Sequence, residues 1–158
     1  MKRVYLSILF VCLFAVVGAQ AQTAPATPPA TTPGPVSRVI YYDVLPGQGD
    51  AMTAFIRTNQ MPILEEQKKQ GMILSYGFFG KPTTEGPGDW DLGLVVTWAN
   101  YADALDFNAE RGAKMNAIAL KHYGTEEART KANDSTTAMR TVVSNMLVRA
   151  VTYNPMPK

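Results

Sequence analysis

His122 is the only histidine in this chain of 158 residues, and it is the first place to look for chemistry. An imidazole could act there as an acid–base group or as an axial haem ligand. Its position two residues before Gly124 supplies a second explanation: a cationic ring at a helix C-terminus, where the helix dipole favours it. A conventional zinc site would need carboxylates to make up for a single histidine, and no ligand spacing supports one. A Ser–His–Asp triad would be expected to bring a nucleophile-elbow pattern, which the sequence lacks. The single cysteine, Cys12, lies inside an apolar N-terminal run. Once that run is removed, thiol nucleophiles, disulfides and thiolate metal sites are excluded.

Two charges stand inside otherwise apolar strand segments, Asp43 and Arg149. A buried charge without a partner is costly, so the two are expected to pair across neighbouring first and last strands. Asn59 falls on the apolar stripe of a helix and needs a hydrogen-bond partner, either backbone freed by Pro62 or a ligand. Tyr41, Tyr76 and Trp98 are aromatic groups on strands, which serve a core or a pocket. Tyr41, Asp43, Asn59, Tyr76, Trp98, His122 and Arg149 are therefore the candidate ligand-binding residues. None is assigned a catalytic role, and no metal site is expected.

The elements that must position them are organised around residues 72–98, read as a hairpin. Met72–Phe79 and Trp90–Trp98 are its strands, and the segment between them is rich in Pro, Gly and charge. Before it, Arg38–Leu45 reads as a strand. Asp50 opens a helix with Met52, Phe55, Ile56, Ile63 and Leu64 near one face. Pro62 should kink or split that helix, and Gly71 should cap its end in a left-handed conformation. After the hairpin, Asn100 caps a second helix with Asp103 at the capping-box position. Gly112 is expected to interrupt this helix and Gly124 to end it. A short third helix or loop follows from Thr125. Residues 133–137 read as a polar break, so the glycosylation-like triplet Asn133-Asp134-Ser135 is expected in a loop. A last strand covers about Thr141–Tyr153.

The order predicts an α+β domain of ferredoxin-like β-α-β-β-α-β type, with helices on one face of a four-stranded antiparallel sheet. Both faces of the strands are largely apolar. A sheet covered on one side only should show a polar outer face, so the second face is expected to close against another copy in a homodimer.

At the N-terminus, Lys2 and Arg3, the apolar run Val4–Val17 and Gly18-Ala19-Gln20-Ala21 form a secretory signal, with cleavage expected after Ala21. Residues 22–37, with five prolines and no charge before Ser37, read as a linker. The folded domain is expected over 38–153, with a loose tail over 154–158. Loss of Lys2 and Arg3 takes Lys+Arg from 15 to 13, against 13 Asp+Glu. The mature chain is thus close to neutral, without the basic excess that would hold nucleic acid or an anionic membrane. A secreted or periplasmic protein is expected.

Val39–Leu45, the Pro46-Gly47 that follows, the helix carrying Pro62, Gly71, the hairpin, and Val95-Val96-Thr97-Trp98 with Tyr101 and Leu105 resemble the dimeric α/β-barrel superfamily. The likeness is to its antibiotic-biosynthesis-monooxygenase-like and NIPSNAP-like branches, over roughly residues 38–107. The resemblance implies a dimer in which two sheets form a barrel and small molecules bind between sheet and helices. Some members oxygenate quinol-like aromatics without a cofactor; others bind or degrade haem. Haem-degrading members pair an Asn on the first strand with a Trp on the third and a His early in the next helix. Trp98 matches the Trp, but the first strand has no Asn and His122 stands 24 positions after Trp98. The functional expectation is a secreted dimeric domain that binds a small apolar or aromatic ligand, with cofactor-independent monooxygenation as its enzymatic form. The alternatives are a non-catalytic binding or assembly module, and a haem-binding protein through His122.

Overall fold

The computed structural model describes residues 29–156 apart from 84, 85, 87, 88 and 107. The expected signal (1–21), the first part of the linker and the last two residues of the tail lie outside the described residues.

Four strands form one antiparallel sheet: β1 (Thr31–Val44), β2 (Ser75–Gly80), β3 (Leu92–Trp98) and β4 (Arg140–Tyr153). Their order is β2-β3-β1-β4, the ferredoxin-like arrangement. The fold is therefore α+β, with β3 and β1 inside and β2 and β4 at the edges.

β1 begins seven residues before Arg38, inside the segment read as linker. Thr31, Thr32 and Pro33 pair with Tyr153, Thr152 and Val151 of β4, and the register shifts between Pro33 and Val36. Proline cannot donate to a ladder, so a Pro-rich strand survives where a bulge takes up the irregular residues. Beyond that bulge Val36 is completely buried. The composition that suggested a tether thus hides one core residue and an edge-strand extension.

Between β1 and β2 the helix is divided as Pro62 demands. α1 (Gly49–Phe55) passes into a π turn over Ile56–Gln60, and α2 (Met61–Lys69) follows with Pro62 in its first turn. The Met61 amide bonds back to the Ile56 carbonyl, one residue further than in an α-helix. The wider turn relieves the clash between the proline ring and the carbonyl four residues earlier. Gly71 ends the unit at φ 70°, as expected of a left-handed cap.

After β3, Asn100 caps α3 (Tyr101–Leu105) by accepting from the Asp103 amide. The interruption expected at Gly112 falls earlier, where Asn108 caps α4 (Ala109–Tyr123) by accepting from the Arg111 amide. Gly112 lies inside α4. Thr125 caps α5 (Glu126–Met139), which runs through the expected polar break and carries Asn133-Asp134-Ser135 on a helix, not in a loop. Its polar residues are compatible with a helix because their hydroxyls bond within it: Thr136 to the Ala132 carbonyl and Thr137 to that of Asn133. Thr136 and Met139 are the side chains that α5 buries.

One face of the sheet carries the core. Tyr42, Ile73, Leu94 and Val96 form one buried cluster with Leu64, Phe78 and Trp98 against it. Met52, Ile56 and Met139 form a second with Val44, Phe55 and Leu92. The register places Val39, Tyr41, Gly93, Val95, Gly77 and Phe79 on the opposite face. Met146 and Val148, opposite Val39 and Ser37, continue that face onto β4.

Candidate functional site

A concavity of about 510 Å³ lies between the α1–π–α2 unit and β2. Thr53, Arg57, Met61, Glu65 and Lys68 recur every four residues and then three, so they stack as one stripe along the helical unit. That stripe forms one wall. Tyr76, Gly77 and Phe78 of β2, with Leu92 and the buried Ile56, complete the cleft. The Tyr76 hydroxyl donates to the Glu65 carboxylate at 3.0 Å. Desolvation, then the hydrogen bond to Glu65 and its charge, hold the Tyr76 phenol above its ordinary range. It therefore stays a neutral donor at physiological pH. Arg57 and Lys68 form no ion pair among the described residues. The cleft combines an apolar floor, a held donor and two cations.

Asn59 and His122 meet on the far side of the same helical unit. Asn59 Oδ1 lies 3.3 Å from His122 Nε2, so the proton in this contact belongs to the imidazole nitrogen. Asn59 Nδ2 donates to the Thr58 hydroxyl at 2.9 Å, and that hydroxyl donates to the Ala54 carbonyl at 2.8 Å. The partner of Asn59 is thus His122 with Thr58. The histidine also stands edge-on to the Tyr123 ring at 4.9 Å.

A hollow of about 290 Å³ beside His122 is walled by Pro62, Ile63, Glu66, Ile118 and Lys121. It lies at the lower limit of ordinary ligand pockets of about 300–1,000 Å³. With Nε2 committed to Asn59 and charged groups on the walls, these residues do not fit a haem. Among the described residues no cluster of three His, Cys, Asp or Glu side chains could hold a metal ion.

The remaining candidates stand apart. The expected Asp43–Arg149 pair does not form. Asp43 is opposite Thr141 and Arg149 opposite Val36, so the antiparallel ladder puts them at opposite ends of the strands. Arg149 Nε instead donates to the Gly34 carbonyl at 3.2 Å, and its guanidinium lies 5.0 Å from the Tyr101 ring. Trp98 lies on the helix-covered face with the Arg38 guanidinium 5.9 Å from its ring. Tyr41 belongs to an aromatic cluster on the opposite face, 4.8 Å from Trp90 and 5.9 Å from Phe79. Only Tyr76 reaches the cleft.

Arg57, Glu65 and Lys68 were not among the sequence candidates. Their spacing of eight and three residues, which puts them on one helical stripe, was available in the sequence, but a charged stripe beside an apolar one ordinarily marks a solvated helix face. Arg140 was also missed: its guanidinium covers the Tyr42 ring at 3.7 Å. Burial raises the Tyr42 phenol above its ordinary value, and Arg140 draws it partly back.

No family model and no curated protein matches the sequence. Two solved structures are similar to it in outline. One is a dimeric protein of unknown function and ferredoxin-like fold from Bacteroides fragilis, 10% identical, with TM-score 0.39, over 76% of this chain and 96% of that one. The other is a dimeric ferredoxin-like protein from an uncultured marine organism, 9% identical, with TM-score 0.40, over 80% and 94%. This chain's own strand order, β2-β3-β1-β4, defines its ferredoxin-like fold.

Proposed function

We propose that the chain works as a homodimer closed through the uncovered face of its sheet, and that the cleft between β2 and the α1–π–α2 unit binds a small organic ligand. The observation that carries the dimer is the chemistry of that face. Val39, Tyr41, Val95, Phe79, Met146 and Val148 form an apolar surface, with Phe79, Met146 and Val148 still 36%, 43% and 42% exposed in the single chain. Apolar surface of this extent on a soluble domain marks an interaction site, and a twofold axis lets the patch cover itself. Supporting the ligand reading is a cleft of ordinary pocket size with convergent polar groups.

The second reading is cofactor-independent oxygenation of a quinol-like aromatic, as the family resemblance implies. It is favoured by Tyr76 and Glu65 standing side by side on the cleft wall, where they could hold and deprotonate a phenolic hydroxyl. Oxygen uptake with added quinols tests it, and its loss in Glu65→Gln would assign the base. The N-terminal pattern supports export from the cytoplasm.

Native mass spectrometry of the purified protein at micromolar concentration tests both parts of the main reading. A dimer with retained extra mass is the expected result. A bare monomer would remove the sheet-on-sheet argument.

A further inference from the structure

We infer that the ligand of the β2 cleft is an amphipathic organic acid, an apolar or aromatic body carrying a carboxylate, sulfonate or phenolate. This rests on the cleft being a ligand site, as proposed above, and adds the ligand's chemistry. The floor is apolar: Ile56, Phe78 and Leu92 offer surface that only an apolar body would cover profitably. The wall is cationic. Arg57 and Lys68 both line it, about 16 Å apart along the helical unit at the ordinary helical rise.

The one acid on the stripe, Glu65, already accepts the Tyr76 hydroxyl at 3.0 Å. The stripe therefore keeps a net positive charge, and neither cation is drawn into an ion pair among the described residues. A neutral ligand would leave both cations without use. A cationic one would be repelled by two charges and attracted by a carboxylate that is already engaged. An acid gains a charge-assisted hydrogen bond at whichever cation its head reaches, while its body covers the floor.

The test uses the full chain and two fluorescent probes of similar shape: 8-anilinonaphthalene-1-sulfonate, an aromatic anion, and N-phenyl-1-naphthylamine, its neutral counterpart. Fluorescence titration should show tighter binding of the anion, weakening as salt is raised. Arg57→Gln combined with Lys68→Gln should weaken the anion by about tenfold or more and leave the neutral probe unchanged. Glutamine keeps the helix propensity of both positions, so the variant should fold, which circular dichroism checks. Each single variant then shows which cation holds the head group.

Equal binding of the two probes by the wild type, or anion binding indifferent to the double variant, overturns the inference. In either case a neutral probe that is still lost in Phe78→Ala leaves the cleft as a ligand site. Failure of both probes to bind the folded dimer overturns the ligand reading itself.

Discussion

Gly93 shows how a single residue shapes the uncovered sheet face. A Cβ there would stand 2.1–2.7 Å from the far ring atoms of Phe79, so the end of the ring occupies the space over the glycine. That position also brings Phe79 to 5.6 Å from Trp90 and 5.9 Å from Tyr41. Gly93→Ala should swing the ring away and forfeit its aromatic contacts, at about 1–2 kcal/mol by urea unfolding. In a Phe79→Ala background the same substitution should cost close to nothing. Full additivity of the two changes would disprove the contact.

Tyr42 makes a second residue-scale prediction. Its phenol is raised above an ordinary value of 10.0, first by burial and against the pull of Arg140. The folded state therefore holds this proton more tightly than the unfolded chain. Stability is unaffected below the unfolded phenol's value and falls as pH rises past about 10. Tyr42→Phe should flatten that alkaline slope, whatever it does to stability at neutral pH. An identical slope in the variant would show that Tyr42 does not carry it.

At the scale of elements, the legible features were those with local causes. Gly71 and Gly124 close helices where a left-handed residue is needed, at φ 70° and 79°. Asn100 caps the helix it was expected to cap. The alternation along β3 separated Leu94 and Val96 from Gly93 and Val95, and the register keeps them on opposite faces. What was missed depends on distant partners. Residues 31–36 form a strand because β4 extends to Tyr153 and offers them a ladder. Residues 133–137 are helical because Thr136 and Met139 find burial, against the local preference of an Asn-Asp-Ser-Thr-Thr run.

Ser135→Pro separates those two accounts of α5. In a polar loop, proline is tolerated at little cost. Inside α5 it removes a hydrogen bond and clashes with the preceding turn, so a loss of about 3 kcal/mol or more is expected in urea unfolding. The candidate residues failed to converge for the same kind of reason. Asp43 and Arg149 are on paired strands, but an antiparallel ladder sends the start of one to the end of the other. Asn59 and His122 meet only through the packing of α4 on α2, which no spacing in the sequence reveals.

On the scale of the whole molecule, β1 divides two surfaces with different roles. Its helix-covered face buries Val36 and Tyr42; its other face presents Val39 and Tyr41. A stable dimer buries about 800 Å² on each partner. The uncovered face presents Phe79, Val95, Val39, Met146 and Val148 across all four strands, with the Ser37 and Thr97 hydroxyls bonded to each other among them. β4 is also an edge strand of 14 residues, and an unpaired edge could instead join another copy strand to strand.

The two assemblies make different demands on Val148. Its side chain belongs to the uncovered face and is 42% exposed in the single chain, so Val148→Lys should be tolerated by the monomer. In a face-to-face dimer the lysine would be buried against apolar surface without a partner, at several kcal/mol. Edge pairing uses backbone groups and leaves the lysine at the surface. Val148→Lys should therefore yield a folded monomer by native mass spectrometry and circular dichroism. A dimer that survives the substitution would move the interface from the face of the sheet to the edge of β4.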